Sequence, residues 1–193
     1  MKKLLIIPSA FALGSFFLAS CGNSTPDVSM KSPLQNNAVT VNLKATQEMG
    51  ENVANNDANT KTMENMQAAF KGETTASAKY AAYSTKAEQE GFHQIALLFK
   101  AASVSENIHA NNHKAVLEES GIGVPAVTPE FTVKTTKENL LDAISGETYE
   151  ATTMYPEFLT EANTAGNQLA MMSLNYAYKT EKKHKVFYEA ALS

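Results

Sequence analysis

The sequence predicts an all-α fold, a four-helix bundle of two repeated helical hairpins with a long crossover between helices two and three. Three observations carry that expectation. Apolar residues recur at helical spacing in four long stretches from about Thr62 to the C-terminus, broken near Gly91, Gly121 and Gly166. Between the second and third stretches lies "GIGVPAVTPEFTVKTT", whose two prolines mark an extended connection, whereas the other breaks are tight. The second pair of stretches also repeats the first. "NMQAAFKGETTASAKYAAY" from Asn65 aligns with "NLLDAISGETYEATTMYPEF" from Asn139.

Taken in order, the chain begins with "MKKLLIIPSAFALGSFFLASC". Lys2 and Lys3 precede an apolar run to Leu18 and small residues before Cys21, the pattern of a secretory signal peptide over residues 1–20. "LASC" resembles a bacterial lipobox. That implies cleavage before Cys21, lipid on its thiol, and an exported lipoprotein held at a membrane surface, on the periplasmic side or at the cell surface. Cys21 is the only cysteine, so no intrachain disulfide is available. Residues 21–61 are rich in Asn, Ser and Thr, hold two prolines, and read as the lipidated N-terminus and a flexible tether. The bundle itself is expected over residues 62–193.

Helix one is expected over Thr62–Glu90 and helix two over Phe92–Ser120. Helix three starts near Thr136, where Thr135 and Glu138 have capping-box spacing, and ends before Gly166. Helix four runs from Asn167 almost to Ser193. All 16 basic residues are lysines, against 20 acidic residues, and no basic cluster stands out; that balance argues against a nucleic-acid binder.

The chemistry lies in what interrupts the apolar faces. The inward stripes read Met66, Phe70, Glu73, Tyr80 in helix one and Ile95, Leu98, Phe99, Ala102, Glu106, His109, Val116, Leu117 in helix two. Helix three contributes Leu140, Ile144, Glu147, Glu150, Met154, Phe158; helix four contributes Leu169, Met172, Tyr176, Glu181, His184, Phe187. Glu106–His109 in "SENIH" and Glu181–His184 in "TEKKH" share one spacing, and three residues apart on a helix is the same face. At about 1.5 Å per residue, Glu73 and Glu106 lie roughly 25 Å from the Gly91 turn, and Glu147 and Glu181 are matched about Gly166. Four glutamates therefore converge on one core layer with no lysine beside them. Buried carboxylates cost several kcal/mol each unless protonated, paired or metal-bound. With Glu150 they make five carboxylates and two imidazoles, the donor set of a di-iron or di-manganese carboxylate site. His93 follows the Gly91 turn and is expected at the surface. His113, one turn beyond His109, is expected beside the site or at the surface rather than as a ligand.

At these residues the sequence resembles the rubrerythrins, ferritin-like di-iron proteins. The resemblance covers Asn65 to about Leu192 and is carried by "FKGETTASAKY", "SENIH", "ISGETYEATTMYPEF" and "TEKKH". It implies a ferritin-like bundle, two iron ions (manganese also suits the donors), and the metal ligands Glu73, Glu106, His109, Glu147, Glu150, Glu181 and His184. It further implies that one iron moves between Glu150 and His109 with oxidation state, and that Tyr80 and Tyr155 hydrogen-bond the ligand carboxylates. A homodimer is expected on the same ground. The activity implied is reduction of hydrogen peroxide to water in oxidative-stress defence. Electrons would come from a separate donor, since no C-x-x-C pairs of a rubredoxin domain are present. Two other functions remain open: a ferroxidase or iron-binding protein, and a non-catalytic membrane-tethered metal-binding module.

Overall fold

The computed structural model describes residues 37–193, with side chains from Asn55 onward. The signal peptide, Cys21 and the first part of the tether lie outside the described residues. Helix α1 spans Asn37–Gln89, α2 His93–Glu119, α3 Thr136–Tyr149, α4 Tyr155–Thr164 and α5 Gln168–Leu192. A π-helical turn, Glu150–Met154, joins α3 to α4, so the two make one continuous third helix.

The first helix begins well before the expected Thr62. Residues 37–61, read from composition as tether, are helical. Extending an existing helix needs no new nucleus, and no proline follows Pro33 before the bundle. Described packing begins at Ala58, followed by Thr62, Met63 and Met66.

The predicted breaks stand where the glycines put them. Gly91, Gly121 and Gly166 adopt φ of 84°, 68° and 66°, the left-handed region that favours glycine. Each closes the same six-to-one and five-to-two hydrogen-bond pair: Phe92 N to Ala87 O with Gly91 N to Glu88 O, Ile122 N to Leu117 O with Gly121 N to Glu118 O, Asn167 N to Ala162 O with Gly166 N to Asn163 O. The capping box also forms. Glu138 N donates to Thr135 Oγ1 at 3.3 Å and Thr135 N donates to Glu138 Oε2 at 3.2 Å.

Helix α1 packs along α2, α5 bridges α2 to α3 and α4, and α1 meets α4. The core is three layers along the bundle axis. One apolar cluster holds Met63, Met66, Val116, Leu117, Met154, Tyr155 and Leu174; another holds Tyr80, Tyr83, Phe99, Leu140 and Tyr188. Glu73, Glu106, His109, Glu147, Glu181 and His184 are also buried, as the polar layer of the core.

The inward face of the last helix differs from the expected stripe. Ala170, Ser173, Leu174, Ala177, Glu181, His184 and Tyr188 face the core, while Leu169, Met172, Tyr176 and Phe187 point outward and are about half exposed. At about 100° per residue, Met172 lies about 180° from Glu181 and Tyr176 about 140° away. Residue size misled here. Small Ala170 and Ala177 face inward, and the bulky residues cover an outer face. In α2, Ile95 and Leu98 sit at the edge of the cluster centred on Phe99, while Ala96 is buried. Among the described residues no helix is long and apolar enough to cross a membrane.

Candidate metal centre

The site is built by four helices, each presenting one buried glutamate at the same level: Glu73 from α1, Glu106 from α2, Glu147 from α3 and Glu181 from α5. His109 and His184 sit one turn beyond Glu106 and Glu181 on the same faces, as the i, i+3 spacing requires.

Glu106 and Glu181 each reach both imidazoles. His109 Nδ1 lies 2.9 Å from Glu106 Oε2 and 2.9 Å from Glu181 Oε1. His184 Nδ1 lies 2.9 Å from Glu106 Oε1 and 2.9 Å from Glu181 Oε2. The outer carboxylates divide between the two ends. Glu73 Oε2 is 3.8 Å from His109 Nδ1, and Glu147 Oε1 is 3.6 Å from His184 Nδ1. Two metal-sized donor groups follow, Glu73–Glu106–His109–Glu181 and Glu106–Glu147–Glu181–His184, each with one potential ligand atom per residue within 4.8 Å of the others. Glu106 and Glu181 belong to both, as carboxylates bridging two ions would.

The two tyrosines expected beside the ligands cross between the hairpins. Tyr80 on α1 donates to Glu147 Oε1 at 2.7 Å, and Tyr155 on α4 donates to Glu73 Oε1. Each bond fixes one oxygen and leaves the other free of the phenol, although on Glu147 the bonded Oε1 is also the oxygen nearest His184. Those free oxygens, Glu73 Oε2 and Glu147 Oε2, are buried without a hydrogen-bond partner, as are both oxygens of Glu106 and Glu181 Oε1. The 2.9 Å imidazole contacts leave both Glu106 oxygens without a hydrogen-bond partner, one turned toward each histidine. Orphaned buried oxygens in this number need a cation. Oxygen and imidazole donors without thiolate fit iron or manganese. The residues present therefore fit two metal ions.

Without metal the charge problem shows in the proton affinities. Burial and the neighbouring Glu106 charge hold the Glu73 carboxyl well above the usual carboxylate range. Burial pushes Glu147 up to about 8. Burial alone would lower the histidines, but the surrounding carboxylates, Glu106 foremost, raise His109 and His184 to about 12. Glu181 is the exception. Its contacts to both imidazoles outweigh burial and hold it below the ordinary value. Two imidazolium ions thus do part of the work that two metal cations would do.

The π-helical turn explains a slip in the internal repeat. Glu73 pairs with Glu147 at an offset of 74, whereas Tyr80 pairs with Tyr155 at 75 and Glu106–His109 with Glu181–His184 at 75. The extra residue falls between Glu147 and Tyr155, where Glu150–Met154 winds wide and Tyr155 N donates to Glu150 O. An added residue in a helix turns every later side chain by about 100° unless the turn absorbs it. Here it is absorbed, and Tyr155 keeps the face that Tyr80 holds in the first hairpin.

Glu150 starts that turn, where the first hairpin has Ala76. It stands outside both donor groups and is half-buried. Burial, then the charges of Glu73 and Glu147, push its carboxyl well above the usual range, so it sits within the field of the cluster. His93 is exposed as expected and contacts Glu88. His113 is fully buried beside the centre, hydrogen-bonded to Ser173 and Tyr155. Ser173 was not legible as a site residue, because the stripe expected for its helix pointed elsewhere.

Comparison with known proteins agrees with this geometry. The rubrerythrin family model matches residues 64–192. Nigerythrin of Nitratidesulfovibrio vulgaris is 37% identical over 132 residues, covering 67% of this chain and 65% of nigerythrin. Rubrerythrin-1 of Clostridium acetobutylicum is 33% identical over 137 residues, covering 69% of this chain and 70% of that protein. The structure of fully reduced, all-ferrous nigerythrin superposes with a TM-score of 0.64 over 68% of this chain and 65% of that one, at 37% identity. A bacterioferritin of Rhodobacter capsulatus, 21% identical over 69% of this chain and 84% of its own, shares the fold with a TM-score of 0.63. The match thus spans just under two-thirds of nigerythrin, and the residues 64–192 matched by the family model include both donor groups. The chain belongs to the rubrerythrin family, and its buried glutamates and histidines form a centre of the di-iron carboxylate type.

Proposed function

We propose that the protein is a di-iron peroxidase that reduces hydrogen peroxide to two waters in oxidative-stress defence, taking two electrons from a separate redox donor and two protons from solvent. The observation that carries this reading is Glu150, a carboxylate beyond the six residues that the two donor groups require. For a protein that only binds iron six ligands would suffice, and Glu150 would be an auxiliary carboxylate. When bound, two ferrous ions would supply the two electrons that cleave the peroxide O–O bond.

The chain's own residues set the conditions for that reaction. Glu106 and Glu181 hold the two positions at a fixed separation by serving both. Glu73 and Glu147 add one anion at each end, oriented by Tyr155 and Tyr80. His109 and Glu150 are the pair whose exchange at one position would follow oxidation state: a neutral imidazole for the lower charge, a carboxylate for the higher. The experiment is anaerobic ferrous loading followed by rapid mixing with peroxide or with dioxygen while absorbance is followed. Peroxide should oxidise the centre at least tenfold faster. Equal rates, or faster oxidation by dioxygen, would replace the peroxidase with a ferroxidase.

The same proposal places the protein at a membrane through lipid on Cys21, as a homodimer. The lipobox-like "LASC" supports the anchor, and the half-exposed Leu169, Met172, Tyr176 and Phe187 support burial of a face between copies. Detergent-extracted protein should sediment at two-protomer mass, and Cys21→Ala should leave the membrane fraction. A monomer, or a Cys21→Ala chain still membrane-bound, would remove the corresponding part.

A further inference from the structure

His113 plays no part in the function above, yet it is among the most completely buried polar residues described, at 0% exposure. It sits on α2 one turn beyond His109. Its Nδ1 lies 2.8 Å from Ser173 Oγ on α5, and its Nε2 lies 3.2 Å from Tyr155 Oη on α4. Tyr155 in turn hydrogen-bonds Glu73 Oε1. Four groups from four helices therefore form one unbranched hydrogen-bond chain that ends on a carboxylate of the metal centre.

The direction of every bond follows by elimination. A metal-bound Glu73 is ionised and only accepts, so the phenol must donate to it. The phenol has one proton, so its oxygen must accept from His113, and Nε2 carries the hydrogen. A neutral ring has one N–H, which leaves Nδ1 as acceptor and Ser173 as donor. The ring is taken as neutral because it is fully buried and its two hydrogen-bond partners are hydroxyls, neither of which carries a charge to balance an imidazolium. All three donors point toward Glu73. Such aligned bonds polarise one another, so Tyr155 donates more strongly than a lone phenol would.

The internal repeat supplies a control within the same molecule. At the offset of 75 that relates Tyr80 to Tyr155, the counterpart of His113 is Tyr188. Tyr188 packs on Tyr80 with ring centroids 5.5 Å apart, but its hydroxyl has no hydrogen-bond partner. Tyr80 holds Glu147 from within an aromatic cluster with Tyr83 and Phe99, and nothing in that cluster donates to its oxygen. Apart from Glu150, which corresponds to Ala76 in the repeat, the two halves have matching carboxylates, imidazoles and tyrosines, and they differ in what stands behind the tyrosine.

We propose that Ser173 and His113 are positioning residues that lock Tyr155 as a one-way donor to Glu73, making the Glu73–His109 metal position unlike its pseudo-twofold mate at Glu147–His184. This rests on the two-metal reading of the centre. A carboxylate whose outer oxygen accepts a strong hydrogen bond gives less charge to its metal and is held in one orientation, and loss of such an outer partner typically costs 10–100-fold in metal affinity.

The test uses zinc, which is diamagnetic. In the full-length protein loaded with zinc, nitrogen-15 NMR should show His113 as the neutral Nε2–H tautomer. An Nδ1–H tautomer or an imidazolium would overturn the chain's direction. Stepwise zinc titration of His113→Leu should weaken one of two binding steps about tenfold and leave the other within twofold, whereas His113→Gln, which keeps a donor near Nε2, should recover most of the loss. Tyr188→Phe should change neither step. Equal weakening of both steps, or none in either, with two zinc ions still bound by the parent, would sink the inference alone. A parent chain binding fewer than two would instead sink the two-metal reading, and the inference with it. If His113→Leu does not fold, the parent's NMR tautomer and His113→Gln still decide the matter.

Discussion

Replacing Glu150 by alanine should leave two metal ions bound and lower peroxide turnover on the order of a hundredfold. The metal content should hold because Glu150 lies outside both four-residue donor groups, each complete without it. Turnover should fall because the oxidised centre gains two positive charges, from +4 to +6 for two ferrous ions going to ferric, and Glu150, which lies in the field of Glu73 and Glu147, is the carboxylate proposed to offset them. Removing charge compensation from a half-buried site costs a few kcal/mol, and each 1.4 kcal/mol is about tenfold in rate. His109→Ala should also slow the reaction, but by removing a ligand of the reduced centre, so the two variants should shift the reduction potential in opposite directions. Metal analysis, a redox titration and stopped-flow oxidation of both variants beside the parent make the check. Parental turnover by Glu150→Ala with full metal would show that Glu150 has no part in the oxidised state.

Chelation should destabilise the protein, and the loss should grow with pH. Metal binds the folded centre and not the dispersed ligands of the unfolded chain, so a metal at a thousand times its dissociation constant adds about 4 kcal/mol. For a chain of this size that is about 10 °C in melting temperature. The sign of the pH dependence follows from the metal-free proton affinities. Glu147, raised by burial to about 8, stabilises the metal-free fold below its unfolded value of 4.5 and loses that contribution as pH rises toward 8. His109 and His184, raised to about 12, contribute fully below 6.5 and lose ground above it, because the unfolded chain then sheds protons the folded one keeps. Both effects weaken the metal-free protein between pH 5 and 8.5. Metal binding requires the same groups deprotonated, so it strengthens over that range. Melts of loaded and chelated protein at pH 5.5 and 8.5 should show a gap that widens by several degrees at the higher pH. A gap that is absent, or that narrows as pH rises, would place the metal outside this core layer.

Much of this site could be read in advance. The Glu-x-x-His pairs at 106–109 and 181–184 and the Gly-Glu-Thr strings at 72–74 and 146–148 lie on apolar faces at matched distances from two glycine turns. Helical periodicity is a property of the chain alone, so it determined which residues share a layer, and burial physics then required a cation among them. The glycine stops and the Thr135–Glu138 capping box are equally local and came out as expected. The tether did not. Composition alone does not say how far a helix propagates from a folded end, and α1 continues back to Asn37.

What remained depends on how the helices sit against one another. Periodicity assigns a residue to a face but not to a neighbour, so it cannot tell which glutamates are shared. Glu106 and Glu181 serve both positions only because α2 and α5 are adjacent, while α1 and α3 hold Glu73 and Glu147 at the two ends. For the same reason the crossed Tyr80–Glu147 and Tyr155–Glu73 bonds, each spanning more than sixty residues, were visible only in the fold. The inward face of α5 went to Ala170, Ser173 and Ala177, because close packing against three other helices prefers small side chains there over the bulkier Leu169 and Met172. That choice brought Ser173 to His113. The sequence by itself determined that a carboxylate and imidazole layer with donors for two metals lies between four helices; only the tertiary structure decided how the ligands are shared and what stands behind them, because those are distances between helices and no single helix carries them.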